Sequence, residues 1–426
     1  MATISSDFSA TNESVYYNVT SQDAFKAIEG VWEDPTQGLV AYFYRNEDQK
    51  PCLIRYQKTS RSLLQEQPPI ILDDDALAGI QAEGDRLQIA GEQELQKCRF
   101  SLETYPDNSP IKTFDVLRTL LREHYAFASL RNIEIESLMN SVTITDSMSE
   151  AELFNQCVLV LAAFKDNHVA LCKGLDEESE KYFGFSLRPA FQQGLDTRQT
   201  DVDTVTSQAI ATIKEHYLAD PQQDKALLWG FLKQDPSIGY INILSLECDP
   251  EELESTLDRL VDSFKHAKKV IFDVRFNQGG SDELSKMILS RFTHEERLYS
   301  YVQTYYDGGQ LTPRSESWLK PSKGKKIPND TIPIFVLTSP ITASAAEIFT
   351  MMASTLPNVT RIGECTMGIL SDQFARILPN GWWVLLSNEL RFDPQMNLYE
   401  ACGIPPHIEA PFPFDQGKDP ALDMIS

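Results

Sequence analysis

The sequence predicts an α/β fold with a partly parallel sheet, and three features of its second half predict it. From Gly239 onward, β-rich apolar runs alternate with stretches of helical period. The runs "GYINILSL", "KVIFDVRF" and "IPIFVLTS" are almost continuously apolar, as strands covered on both faces are. Between them lie "EELESTLDRLVDSFKHA", "ELSKMILSRF" and "SAAEIFTMMAS", which read as helices. Strands separated by helices indicate crossover connections, and hence parallel neighbours in one sheet.

The remaining elements follow in chain order. Residues 1–28 read as a polar arm. Residues 29–105 form a small β-rich module, opening with "GVWEDPTQGLVAYFYRNEDQKPCLIRYQ", where short aromatic and β-branched runs are broken by turn residues. The turn-rich "YPDNSP" leads into a helical segment, 106–173. There Phe114, Leu117, Leu120, Leu121 and Phe127 recur near helical spacing, with Thr113 as the expected N-cap. A second helix is expected from Ser149 to Phe164, ending at "KDNHVAL". Residues 174–235 are a mixed connecting region with one helix expected near Asp203–Tyr217. The α/β core occupies 236–414, and 415–426 is a polar tail.

Composition bounds the function. The chain has 426 residues, 42% of them hydrophobic, so a large core is available. A formal net charge of −24 argues against nucleic-acid binding, which needs a basic stripe. The seven cysteines are scattered and form no C-x-x-C pair, so neither a zinc knuckle nor a disulfide scaffold is expected. No basic-then-apolar leader is visible at the amino terminus and no apolar run is long enough to span a membrane. Taken literally this is a cytoplasmic chain. A protein exported after loss of its signal would look the same.

Chemistry is expected where the buried strands end. At Asn277-Gln278-Gly279-Gly280 two glycines allow positive φ and an outward-facing main chain, although a tight turn capped by Ser281 fits equally. Ser344 stands at the start of a helix, where serine is a common N-cap. The same position offers free N–H groups and the positive end of the helix dipole to an oxyanion formed by attack of that serine. A nucleophilic serine needs a base. There is no lysine between Ser344 and Lys418, so a lysine base would come from upstream. Of the six histidines, His168 lies at a break after a helix, where a loop residue can face a cleft.

Several segments, in order, resemble the S41 family of serine peptidases, the tail-specific or C-terminal-processing proteases. "FKDNHVAL" resembles the family's D-x-H segment and "VIFDVRFNQGGSD" its D-x-R-x-N-x-G-G turn. "VLTSPITASAAEIF" resembles the nucleophile segment, and "RIGECTMG" the G-E-x-T-x-G stretch. "YEACGIPPHI" resembles its E-x-x-G segment, and "LREHYAFASLRNIE" the helix preceding the D-x-H segment. The resemblance covers roughly 108–173 and 236–412. It implies a ClpP/crotonase-like core, a polypeptide substrate, and no metal or cofactor. In the family's Ser–Lys branch a lysine follows the G-E-x-T-x-G stretch directly, whereas here Gly368 is followed by Ile369, Leu370 and Ser371. The sequence therefore resembles the Ser-His-Glu, tricorn-core-like branch. That implies Ser344 as nucleophile, His168 as base and Glu400 as the carboxylate that orients it. The oxyanion hole would come from Ala345 and from Gly279 or Gly280. Asn167 stands where the tricorn-type site has a further serine, and no PDZ module is expected in 174–235. Two other readings share this scaffold: a non-catalytic carrier of apolar ligands, and a crotonase-like CoA enzyme. Keeping Ser344, His168 and Glu400 together argues against the carrier.

Overall fold

The computed structural model describes residues 17–18, 22–34, 39–46, 48–58, 63–65, 70–89, 94–97, 108–174, 179–184, 187–306, 310–329, 331–414 and 417–425. At its centre is a seven-stranded sheet. Its order is Leu218–Gln223, Leu227–Leu232, Ile238–Ile243, Lys269–Asp273, Ile334–Thr338, Val359–Gly363 and Ile408–Glu409. The first three strands are antiparallel; from Ile238–Ile243 onward every neighbour is parallel. The two edge strands 218–232 lie upstream of the expected core boundary at 236. Their polar "ADPQQDKA" portion is edge and turn, so composition alone assigned it to a connector.

Continuous apolar strands are explained by cover on both faces. Phe272 points to a cluster with Leu253, Leu257, Leu260 and Phe264 of the helix Pro250–Phe264 and with Ile288 and Phe349 of two further helices. Its neighbour Ile271 points to the other side, among Phe191, Ile213, Tyr240, Leu337 and Phe412. Strand side chains alternate, so a strand sandwiched in this way has no solvent face. The helix Pro250–Phe264 begins where Asp249 accepts from Glu251 N and Glu252 N at 2.9 and 3.0 Å, with Pro250 in the first turn.

The helical segment packs as a separate layer on a four-stranded antiparallel sheet: Lys181–Phe183, Ala170–Cys172, Trp383–Ser387 and Gln373–Ile377. The helix Pro110–His124 is capped by Ser109, whose Oγ accepts from Lys112 N, and Thr113 is buried inside it. Pro110 accounts for the earlier start, since proline suits a first helical turn. The second helix, Glu150–Ala162, opens with the reciprocal Ser149–Glu152 capping box.

Upstream, an antiparallel sheet runs through Gly30–Asp34, Leu39–Arg45 and Pro51–Lys58 and closes on Trp32, Phe43, Leu53, Leu87 and Leu95. Two segments expected to be polar extensions carry packed residues. The helix Gln22–Ile28 buries Phe25 and Ile28 in this core. The helix Pro420–Ile425 buries Ala421 and Leu422, while Asp419 makes a buried ion pair with Arg275 at 2.7 Å. A few apolar side chains among polar ones dock such a segment once a partner surface exists.

Candidate active site

The strand Ile334–Thr338 ends at Ser339, and the chain turns sharply before the helix Ala345–Ala353. Thr342 Oγ1 donates to Val274 O and accepts from Ser339 N, and Ser339 Oγ donates to Arg275 O at 2.5 Å. These bonds fasten the turn to the end of the neighbouring strand. Ser344 then takes φ 51° and ψ −124°. A non-glycine residue at such a φ is strained, and strain of this kind at a strand-to-helix turn is how a nucleophile elbow presents its side chain.

Asn277 organises the facing turn. Its Nδ2 donates to Ile243 O at 2.9 Å, its Oδ1 accepts from Gly279 N at 2.8 Å, and its carbonyl accepts from Ala343 N at 3.2 Å. One buried amide thus joins the ends of three strands. Gly279 and Gly280 sit at φ 119° and 128°. A β-carbon on Gly279 would lie 2.7 Å from Ser344 Cβ, and one on Gly280 would lie 2.4 Å from Leu246 O. Gly279 lets this turn press against Ser344, and Gly280 lets it press against Leu246. The Gly279 amide, one of the three expected oxyanion donors, is engaged by Asn277 Oδ1.

His168 lies on the loop before the strand Ala170–Cys172, whose pairing with Trp383–Ser387 sets its position. Its main-chain N–H donates to Asp166 Oδ1 at 3.0 Å. Asp166 also accepts from Tyr125 Oη at 2.9 Å and Ser387 Oγ at 3.2 Å. The His168 ring is 6% exposed and its Nδ1 is buried without a hydrogen-bond partner. Burial pulls its pKa below the ordinary imidazole value, against the carboxylates of Asp166 and Asp372 and a hydrogen bond to the Ser371 main chain; Arg131 lowers it further.

Ser344 and His168 line one cavity of about 380 Å³, together with Gln278 and Gly280. One wall is apolar, Ala343, Met367 and Ile369, and Glu247 and Asp372 add carboxylates at the rim. Glu400 lies beyond that cavity. Its Oε2 accepts from Leu370 N at 2.8 Å and Ser371 N at 3.2 Å, and its Oε1 meets Arg131 Nη2 at 3.3 Å. Burial beside Asp166 pushes its pKa up to about 8, against the pull of Arg131. Glu400 therefore reaches the His168 region through the Ser371 main chain.

Two charged residues of this region escape sequence reasoning. Glu347 is fully buried under Ser344. It accepts from Ser344 N, Thr366 Oγ1, Gly368 N and Ile369 N at 3.3, 2.5, 2.8 and 2.8 Å, and so ties the helix start to the 366–369 loop. Its signal was a glutamate three residues after a helix-start serine, which suggests only a cap. Arg131 sits in a turn between helices, and nothing in its local sequence marks it. Among the described residues, no group of His, Cys, Asp and Glu is placed to hold a metal ion, and no helix is long and apolar enough to cross a membrane.

The parallel sheet is a ClpP-like α/β core, with Ser344 and His168 lining one cavity at its edge. Residues 237–410 match the model of Peptidase family S41. The chain is 32% identical over 191 residues to the carboxy-terminal processing protease CtpA of Bacillus subtilis (strain 168), a match that takes in 45% of this chain. The chain spans only 38% of that curated relative's length. A crystal structure of a peptidase candidate from Parabacteroides merdae ATCC 43184 superposes with a TM-score of 0.61 at 25% identity, covering 75% of this chain and 96% of that one. Mature CPAF complexed with lactacystin shares the fold at 12% identity, with a TM-score of 0.53 over 74% of this chain and 95% of that one.

Proposed function

We propose that the chain is a serine endopeptidase that cleaves extended polypeptide segments through an acyl-enzyme on Ser344. The observation that carries this reading is the strained Ser344 lining the same cavity as a buried His168. In this reading His168 takes the Ser344 hydroxyl proton as Oγ attacks the substrate carbonyl. The resulting oxyanion is stabilised by main-chain N–H groups of Ala345 and of the 279–280 turn. The protonated His168 gives its proton to the leaving amine, and an ester to Ser344 remains. Water, deprotonated by the same ring, then releases the acid. Glu400 serves the base indirectly, by fixing the 370–371 main chain against which His168 is set. A substrate has to be extended to lay its carbonyl between Ser344 and the glycine turn, which is why unstructured segments are favoured. CtpA's description as a carboxy-terminal processing protease supports a polypeptide substrate.

The test is intact mass after treatment with a fluorophosphonate. One adduct is expected on the wild-type chain and none on Ser344→Ala. Ser344→Ala should also lose peptide hydrolysis by roughly 10⁴-fold or more. An unlabelled wild-type chain, or a labelled Ser344→Ala, would overturn the assignment.

A further inference from the structure

We propose that Arg131 is a positioning residue for the base: by clamping Glu400 and Asp166 it holds both sides of the His168 loop. This rests on the reading of His168 as base.

The geometry is a chain of contacts that converges on His168 from two directions. Arg131 Nη2 lies 3.3 Å from Glu400 Oε1 and Nε lies 3.6 Å from Asp166 Oδ2, while Nη1 donates to Lys165 O at 2.6 Å. The guanidinium side chain is only 12% exposed. Asp166 holds the His168 main-chain N–H, and Glu400 holds the Leu370 and Ser371 amides. The Ser371 main chain in turn meets the His168 ring. One fork on the helix-connecting turn thus spans residues near 166 and near 400, which come from opposite ends of the fold. A planar, permanently charged fork is well suited to pair with two carboxylates and a carbonyl together.

Removing the fork has a direction. Asp166 keeps three donors, the His168 amide, Tyr125 Oη and Ser387 Oγ. Glu400 keeps the Leu370 and Ser371 amides. The charged groups facing His168 are then Asp166 on its own loop and Asp372 beside Ser371, with Glu247 at the rim of the cavity and Arg391 behind Asp372 at 3.7 Å. With its nearby cation gone, the ring gains protons more readily.

The experiment uses the full chain carrying Ser344→Ala, in which the imidazole pKa of His168 is followed by NMR and assigned against a His168→Gln control. Arg131→Met should move that pKa upward, and Arg131→Lys, which keeps the charge, should leave it near the parent value. In the active chain, Arg131→Met should lower kcat/KM on the order of 10²-fold, as a displaced base does. Its acid limb should move to higher pH, while Arg131→Lys should keep its limb near the parent's. If Arg131→Met does not fold, Arg131→Gln reads the same charge loss. An unchanged His168 pKa in a folded neutral variant, or a lysine variant shifted as far as methionine, would overturn the proposal. Because the NMR arm needs no turnover, failure of Ser344 as nucleophile would show separately, as absence of fluorophosphonate labelling.

Discussion

Ser344 holds a backbone conformation that costs a residue with a β-carbon roughly 1–3 kcal/mol. Alanine keeps that cost and glycine does not. Ser344→Gly should therefore melt no lower than Ser344→Ala, the reverse of the usual order at a helix start, while both lose hydrolysis. Differential scanning calorimetry of the two variants checks this. His168 gives the second residue-scale expectation. A base must be unprotonated, so kcat/KM falls as pH drops through its pKa, and burial holds that pKa below imidazole's ordinary 6.5. The acid limb should lie below pH 6.5. A limb above it would mean that Asp166 and Asp372 outweigh burial. The residue types were legible in sequence, since a serine at a helix start and a histidine after a helix can both be picked out. The strain on Ser344 was not, because φ is set by the turn between two strands' ends.

At the scale of elements, the two turns at the sheet's carboxyl edge depend on each other. The 277–280 turn fits only because neither glycine has a β-carbon. Gly280→Ala would push a methyl within 2.4 Å of Leu246 O and add a residue at φ 128°. Such a change should destabilise by a few kcal/mol. It should also slow acylation more than it weakens substrate binding, since in the proposed mechanism the turn serves the oxyanion rather than the ground-state substrate. Denaturant midpoints and single-turnover acylation rates measure the two effects. Stability equal to wild type would show that the turn relaxes freely. Strand and helix periods were readable here because each element is covered along its whole length. Edge strands such as Leu218–Gln223 were not, since half their residues face solvent and mimic a loop.

At the scale of the whole molecule, distant segments are joined by buried polar groups. Arg275 pairs with Asp273 and with Asp419, 144 residues further on, and so fastens the last helix to the core sheet. His124 is buried against Phe374 at 4.6 Å between ring centroids, and burial lowers its pKa to about 4. Its unfolded-state pKa is near 6.5, so the unfolded chain binds more protons between the two values. Stability is thus present above pH 6.5 and lost as pH falls toward 4, by about 3 kcal/mol in total. His124→Leu should flatten that part of the stability–pH curve, as read from urea midpoints between pH 4 and 7. An equal slope in both chains would place the acid sensitivity elsewhere.

The sequence by itself determined the α/β order of the core, the places where its strands end, and which residue types stand there. Those follow from period, turn chemistry and motif, which are local. Tertiary structure alone decided that His168 faces Ser344 across a cavity, that Glu400 meets the Ser371 amide rather than the histidine ring, and that Arg131 lies between two carboxylates. Each depends on pairing strands far apart in the chain, as when Leu171 lies beside Val384. No local pattern encodes that distance, because it is the packing of layers against one another that sets it.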